Sequence, residues 1–325
     1  MKHLSVFVIA AAMLGSPVAN AQSTSAGYPS KTITFVVPYA AGGFSDIRAR
    51  KIGEKLSKAL NVTVIIDNKA GAGGVLGTNY VAKSAPDGYT IGMGNFAPLS
   101  VNVSLMSKLP YDPQADIVPI IMVEKSPLIL TVSPTQGMTS VQDVIAKAKA
   151  KPGTITYGSS GIGGAHHLSG AMFGHQAAID IVHVPYKGGG NAATDLLAGH
   201  ISMMFEMGYA ALPSVEAGKI KAIAVTSSKR LLLLPDVPTV AESGLPGFES
   251  YNWQGIIAPK DTPPEIVARL SKELGEILQM PDMRQAITAQ ASEPAGGTPQ
   301  EFAAFIRSET VKWADVIKSA NIKAE

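Results

Sequence analysis

Cysteine is absent from all 325 residues. An exported chain of this kind has no disulfide staples and no lipid-anchored cysteine. Charge is sparse as well, at 16% of residues, and nearly balanced, with 27 Lys and Arg against 25 Asp and Glu. No dense basic stripe interleaved with aromatics occurs, which argues against a nucleic-acid partner. Beyond the N-terminus there is no long uncharged apolar run of the kind that spans a bilayer. What remains is a chain that is 46% hydrophobic, with 32 glycines and 22 prolines. It is long enough for two lobes of ordinary domain size and rich in tight turns.

The first residues read as an address. Lys2 precedes an apolar run from Leu4 to Leu14, and Ala19-Asn20-Ala21 fits a small-residue cleavage site. A signal peptide over 1–21, cut before Gln22, is expected. Loss of Lys2 leaves a mature chain near +1, destined for the periplasm.

The rest alternates strand and helix patterns, the signature of an α/β fold. Strands are expected at Ile33–Val37, Val62–Ile66, Tyr89–Met93, Leu128–Val132, Ile155–Tyr157, Ile181–Val184, Ser202–Phe205 and Ala222–Thr226. Asp46 is placed to cap a helix whose apolar face carries Ile52, Leu56, Ala59 and Leu60. Thr139 and Gln142 have capping-box spacing, as do Thr298 and Glu301. Pro264 suits the first turn of another helix, and Phe302, Phe305, Ile306 and Trp313 mark a core-facing stripe near the C-terminus.

Four times an apolar strand runs into a glycine-rich loop that starts a helix, at 38–46, 67–74, 158–164 and 185–191. Helix N-termini leave backbone N–H groups unpaired and carry positive partial charge. Glycine lets those amides approach a ligand. One such loop is an ordinary tight turn; several converging at the carboxyl ends of strands would hold an anion without a buried cation.

Motifs for other chemistry fail. The dinucleotide pattern is broken by Leu76 after Gly71-x-Gly73 and by His166 after Gly161-x-Gly163. There is no phosphate-loop Gly-Lys-Ser/Thr, so no cofactor is implied. Gly158-x-Ser160 lacks the closing glycine of a nucleophile elbow, having Ile162 there. His166 and His167 project about 100° apart on a helix and cannot jointly grip a metal. His183, on a strand, reads as a structural or ligand-bonding histidine, and no metal site is expected.

Several segments are distinctive together: Tyr28-Pro29-Ser30-Lys31-Thr32-Ile33, Val36-Val37-Pro38-Tyr39-Ala40-Ala41-Gly42-Gly43 with Asp46, and Asp67-Asn68-Lys69 with Gly71-Ala72-Gly73-Gly74. Further on come Asp87-Gly88-Tyr89-Thr90, His183-Val184-Pro185-Tyr186-Lys187-Gly188 and Leu234-Pro235-Asp236-Val237-Pro238-Thr239. Jointly, and in this order, they resemble the Bug family of periplasmic binding proteins, the receptors of tripartite tricarboxylate transporters. The resemblance implies a Venus-flytrap fold with two α/β lobes, a central cleft and two hinge crossings, expected near 125–130 and 245–255. Lobe one would comprise 22–127 and 246–325, and lobe two 128–245. It further implies a small carboxylate as ligand and the membrane subunits of the transporter as partners; a monomer is expected. One carboxylate would be held by lobe one, through Tyr39, Ala40, Ala41, Gly42, Gly43, Phe44, Ser45 and Asp46 together with Gly71, Ala72, Gly73 and Gly74. Lobe two would contribute Ser159, Ser160, His166, Tyr186, Lys187, Gly188 and Gly189.

Two positions look individual. Phe44 stands where a small or polar residue is expected, and suits stacking on a planar ligand or packing on its own loop. Glu206, after a strand, would repel a second carboxylate unless protonated, or accept from a ligand amine or hydroxyl. The expected activity is binding, not catalysis. The rivals are a secreted serine hydrolase with Ser160 as nucleophile and His166 as base, and a binding protein turned signalling receptor.

Overall fold

The computed structural model describes residues 27–324; the expected leader over 1–21 lies outside the described residues. Ten strands form one mixed sheet: β1 (Ile33–Val37), β2 (Val64–Asn68), β3 (Thr90–Asn95), β4 (Ile117–Val132), β5 (Ile155–Ser159), β6 (Ile181–Pro185), β7 (Met203–Met207), β8 (Lys221–Val225), β9 (Tyr251–Pro259) and β10 (Glu293–Gly296). The helices are α1 (Phe44–Leu60), α2 (Val75–Ala82), α3 (Asn102–Leu105), α4 (Val141–Ala150), α5 (Ala165–Ala177), α6 (Gly189–Ala198), α7 (Gly208–Glu216), α8 (Pro264–Gln279), α9 (Pro281–Thr288) and α10 (Pro299–Ser319).

The strand order is β2-β1-β3-β9-β4-β7-β5-β6, with β8 and β10 also bonded to β4. Two parallel sets, β2-β1-β3 and β6-β5-β7, are joined through antiparallel β4 and β9. In each set the central strand, β1 or β5, feeds a helix, so its carboxyl end opens onto the space where the two halves meet. β4 pairs with β9 from Ile117 to Pro127 and with β7 from Leu128 onward. The chain returns where Ser250 N–H donates to Thr226 C=O (3.0 Å) and β9 begins at Tyr251.

β4 is far longer than the strand expected at Leu128–Val132. Pro119, Glu124, Lys125 and Pro127 hide its first half from an apolar-run search, and the sheet tolerates them through register shifts beside Pro119 and Met122. The second strand starts at Val64 and runs to Asn68. Asp46 does not cap α1. Gly43 is the N-cap, and Asp46, in the first turn, reaches back to accept from Gly42 N–H at 2.8 Å. Asp46 is buried, so it sits inside the turn and not before it. Ala59 is exposed, because the buried stripe of α1 follows Arg48, Ala49, Ile52, Leu56 and Leu60. α1 stops at Asn61, whose left-handed backbone (φ 53°) lets Val62 N–H return to Ser57 C=O. The capping box expected at Thr139 falls one residue later: Ser140 accepts from Asp143 N–H, and Asp143 accepts from both Ser140 and Thr139. The Thr298–Glu301 box forms as expected.

Ile33, Phe35 and Val37 of β1 are buried against Ile52 and Leu56 of α1 and Leu270 and Leu274 of α8. Each such side chain contributes about 1.5–3 kcal/mol. On the other side Phe96 meets Trp313 edge to face (centroids 5.2 Å) and Trp253 (6.3 Å). Both indole N–H groups donate to Glu309, which fixes α10 beneath the cleft wall at Phe96.

Candidate functional site

A cleft of about 710 Å³ opens at the carboxyl ends of β1 and β5. Tyr39 to Ser45 form one wall with Gly73, Asn95, Phe96, Ala97 and Asn102. Ser160 to His166 form the facing wall with Met207 and Tyr209, and Asn252 lies at the crossing. No lysine or arginine lines it.

Two helices end at this space. The first bond of α1 runs from Ile47 N–H to Gly43 C=O (3.0 Å), leaving Phe44, Ser45 and Asp46 N–H without partners in the preceding turn. That of α5 runs from Leu168 N–H to Gly164 C=O (3.0 Å), leaving Ala165, His166 and His167 N–H likewise. Neither N-cap is a side chain, since both are glycine. Two helix ends with open amides therefore face one cleft, an arrangement that attracts anions.

Each wall is held from behind. Burial raises the Asp46 carboxyl, but Arg50, Gly42 N–H and Asn68 outweigh it and hold the group below the usual carboxylate range. Asp46 thus stays ionised and ties the 40–43 turn to α1 and β2. Gly74 adopts φ +94°, and a Cβ there would lie 2.8 Å from Pro98 Cγ and 3.1 Å from Tyr39 Oη. Its role is to let Tyr39 reach the cleft. On the facing wall, His167 Nδ1 accepts from Gly163 N–H (3.1 Å) and His183 Nε2 meets Ser159 Oγ (2.6 Å). The two rings stack 3.7 Å apart. Burial and mutual repulsion push His167 down to about 3, and burial pushes His183 down to about 4. Both are neutral supports of the 158–164 loop.

The cleft also holds a hydrogen-bonded chain. Ser160 Oγ lies 3.0 Å from His166 Nδ1, and His166 Nε2 lies 3.2 Å from Glu206 Oε1. Glu206 Oε1 accepts from Met207 N–H as well, whereas its buried Oε2 has no protein partner.

Of the residues expected at the site, Tyr39 to Ser45, Gly73, Ser160 and His166 line the cleft. Asp46, Gly71, Ala72, Gly74 and Ser159 are not among its lining residues. Glu206 and Gly189 back His166, a Cβ at Gly189 falling 3.9 Å from both partners. Tyr186 donates to Asp195 (2.7 Å), and Lys187 and Gly188 are exposed. Residues 39–45 of the first glycine loop and 160–164 of the third thus line the cleft, the second reaches it at Gly73, and the fourth is not in the lining, although its Gly189 lies beside His166. Asn95, Phe96, Asn102, Tyr209 and Asn252 escape sequence reading: Asn95 ends β3, Phe96 follows it, Asn102 opens α3, Tyr209 lies in α7 and Asn252 in β9, so no shared motif marks them. Among the described residues no group of three or more His, Asp or Glu could hold a metal, and no helix is long and apolar enough to cross a membrane.

Known proteins are similar to this chain in sequence and fold. The family model described as tripartite tricarboxylate transporter family receptor matches residues 48–322. Protein BugT of Bordetella pertussis is 37% identical over 316 residues, covering 97% of this chain and 95% of that protein. The solved structure of Rhodopseudomonas palustris Rpa4515 with adipate is 35% identical, with a TM-score of 0.82 over 91% of this chain and 99% of that one. MatC of the same organism, with bound malate, is 31% identical, with a TM-score of 0.78 over 89% and 100%. A family match across most of the chain, on a two-lobed α/β scaffold, places the protein in the TctC family of tripartite tricarboxylate transporter receptors, which are periplasmic solute-binding proteins.

Proposed function

We propose that this protein captures a small carboxylate in the cleft and delivers it to the membrane subunits of a tripartite tricarboxylate transporter. It acts in the periplasm as a monomer, after export on residues 1–21, without turnover. The lobes comprise 22–127 with 246–325, and 128–245, hinged where β4 changes partner and β9 begins. The observation that carries this reading is the pair of helix ends, α1 and α5, with open amides facing one cleft that has no side-chain cation. Binding across both walls favours approach of the lobes. The relatives that bind adipate and malate support a carboxylate of similar size. The test is calorimetric titration of the mature protein with adipate and malate. Saturable binding of either, with a raised melting temperature, supports the reading. No heat from either, nor from a wider set of small carboxylates, refutes it.

One observation favours a second reading. The Ser160–His166–Glu206 chain has the connectivity of a serine hydrolase triad, although serine meets Nδ1 and glutamate Nε2. Release of chromophore from an activated ester, abolished by Ser160→Ala, would establish it. Binding without product leaves the receptor reading in place.

A further inference from the structure

The walls of the cleft differ in hydrogen-bond polarity, and the difference can be traced atom by atom. Arg48 donates to both oxygens of Glu124 (2.7 and 2.9 Å) inside the sheet, so that carboxylate only accepts. Gln254 must then present Nε2 to Glu124 (2.6 Å) and keep Oε1 for Asn95 Nδ2 (3.3 Å). The second Asn95 N–H goes to Ser45 Oγ (3.0 Å). Ser45 is thereby an acceptor on its inner side, and its own proton is left for the cleft. Beside the open amides of α1, this wall offers the Ser45 hydroxyl as a donor, while the buried Asn95 Oδ1 has no protein partner.

The opposite wall sets an acceptor chain beside the open amides of α5. Glu206 accepts, so His166 must carry a proton on Nε2. In the neutral imidazole Nδ1 is then bare and takes the Ser160 proton, which leaves the Ser160 lone pairs facing the cleft. Glu206 adds a buried carboxylate with one oxygen unpartnered and no lysine or arginine bonded to it. Tyr209, whose hydroxyl is raised by burial and by Glu206, is the other titratable group on this wall; His167 turns away to His183.

We propose that Ser160, oriented by His166 and Glu206, selects a ligand whose second polar group is a hydrogen-bond donor. The protein takes hydroxy- or amino-carboxylates in preference to dicarboxylates of equal length. The carboxylate sits against Ser45 and the α1 amides, and the hydroxyl or ammonium against Ser160. A second carboxylate finds a donor at Ser160 only if His166 gains a proton on Nδ1. Ser160 touches ligand; His166 and Glu206 are positioning residues. This inference rests on the carboxylate-binding reading and names the ligand class within it.

Calorimetry with two matched sets tests it: succinate, γ-hydroxybutyrate and γ-aminobutyrate, then adipate, ε-hydroxycaproate and ε-aminocaproate. Each is titrated in two buffers of different ionisation enthalpy to count protons. In at least one set the hydroxy or amino acid binds about tenfold or more tighter than the dicarboxylate, without proton uptake. The dicarboxylate binds with uptake approaching one proton. Ser160→Ala brings the ratio within about twofold of unity. Glu206→Gln weakens the amino acid more than the hydroxy acid and narrows the handicap of the dicarboxylate. Dicarboxylates binding as tightly as their partners with no proton uptake, or a preference that survives Ser160→Ala, overturns the inference while leaving carboxylate binding intact. Failure of all six to bind, together with adipate and malate failing in the earlier test, overturns both.

Discussion

Phe44 and Tyr209 stack across the mouth of the cleft, ring centroids 5.5 Å apart and planes inclined by 13°. Phe44 opens α1 on one wall and Tyr209 follows β7 on the other, so the pair joins the two halves of the sheet. An aromatic ligand stacking on Phe44 must displace Tyr209 or insert beside it.

If the stack serves approach of the lobes, Phe44→Ala and Tyr209→Ala each weaken every carboxylate ligand alike, by about 0.5–1.5 kcal/mol. The double variant loses little more than either single one. A full double-mutant cycle by calorimetry checks this; losses confined to aromatic carboxylates would return Phe44 to the role of a ligand platform.

Gly164→Asp separates helix stability from anion binding. Gly164 has an extended backbone (φ −75°, ψ 164°), and a Cβ there meets nothing closer than Ser160 Oγ at 3.5 Å. An aspartate N-cap suits α5 and, replacing a glycine, stabilises it by about 0.3 kcal/mol. Its carboxylate occupies the open amides, so the melting temperature holds or rises while ligand affinity falls about tenfold or more. Thermal scans paired with titrations report both.

Arg48 is nearly inaccessible at 1% exposure, and Glu124 is fully buried. Arg48→Met strands the Glu124 carboxylate and costs about 3–5 kcal/mol in urea unfolding. Replacing both with apolar residues of similar volume recovers much of that loss, but it frees the Gln254–Asn95–Ser45 chain, and ligand binding weakens regardless.

The stacked histidines make stability depend on acid. In the unfolded chain each takes a proton near pH 6.5; in the fold His183 resists until about 4 and His167 until about 3. The unfolded state thus binds more protons, and stability falls as pH drops from about 6.5 toward 3, with a slope of up to about 1.4 kcal/mol per pH unit for each histidine. His167→Gln and His183→Gln should each flatten that slope in urea unfolding across the range. An unchanged slope would mean the pair is not what titrates.

Much of this was readable from residues alone. The strand-to-glycine-to-helix segments at β1 and β5 combine an apolar run, a punctuating loop and a new period, and both reach the cleft. Reading failed where the signal is tertiary. The first half of β4 carries two prolines and a buried glutamate, which make sense only beside Arg48 and Gln254, remote in sequence. Asp46 resembled a cap because its neighbours do not show which amide it answers. Tyr186 and Lys187 belong to a segment as distinctive as any, yet Tyr186 donates to Asp195 of α6 and neither residue is in the cleft lining. The pairing of Phe44 with Tyr209 spans 165 positions and leaves no local trace.

The most direct measurement is a two-dimensional amide NMR titration of the mature protein with the tightest carboxylate found above. Phe44, Ser45, Ala165 and His166 should show the largest downfield shifts, as their N–H groups take up hydrogen bonds to the bound ligand. If those four stay in place while amides elsewhere move, the anion is not held at the ends of α1 and α5, and the account is wrong.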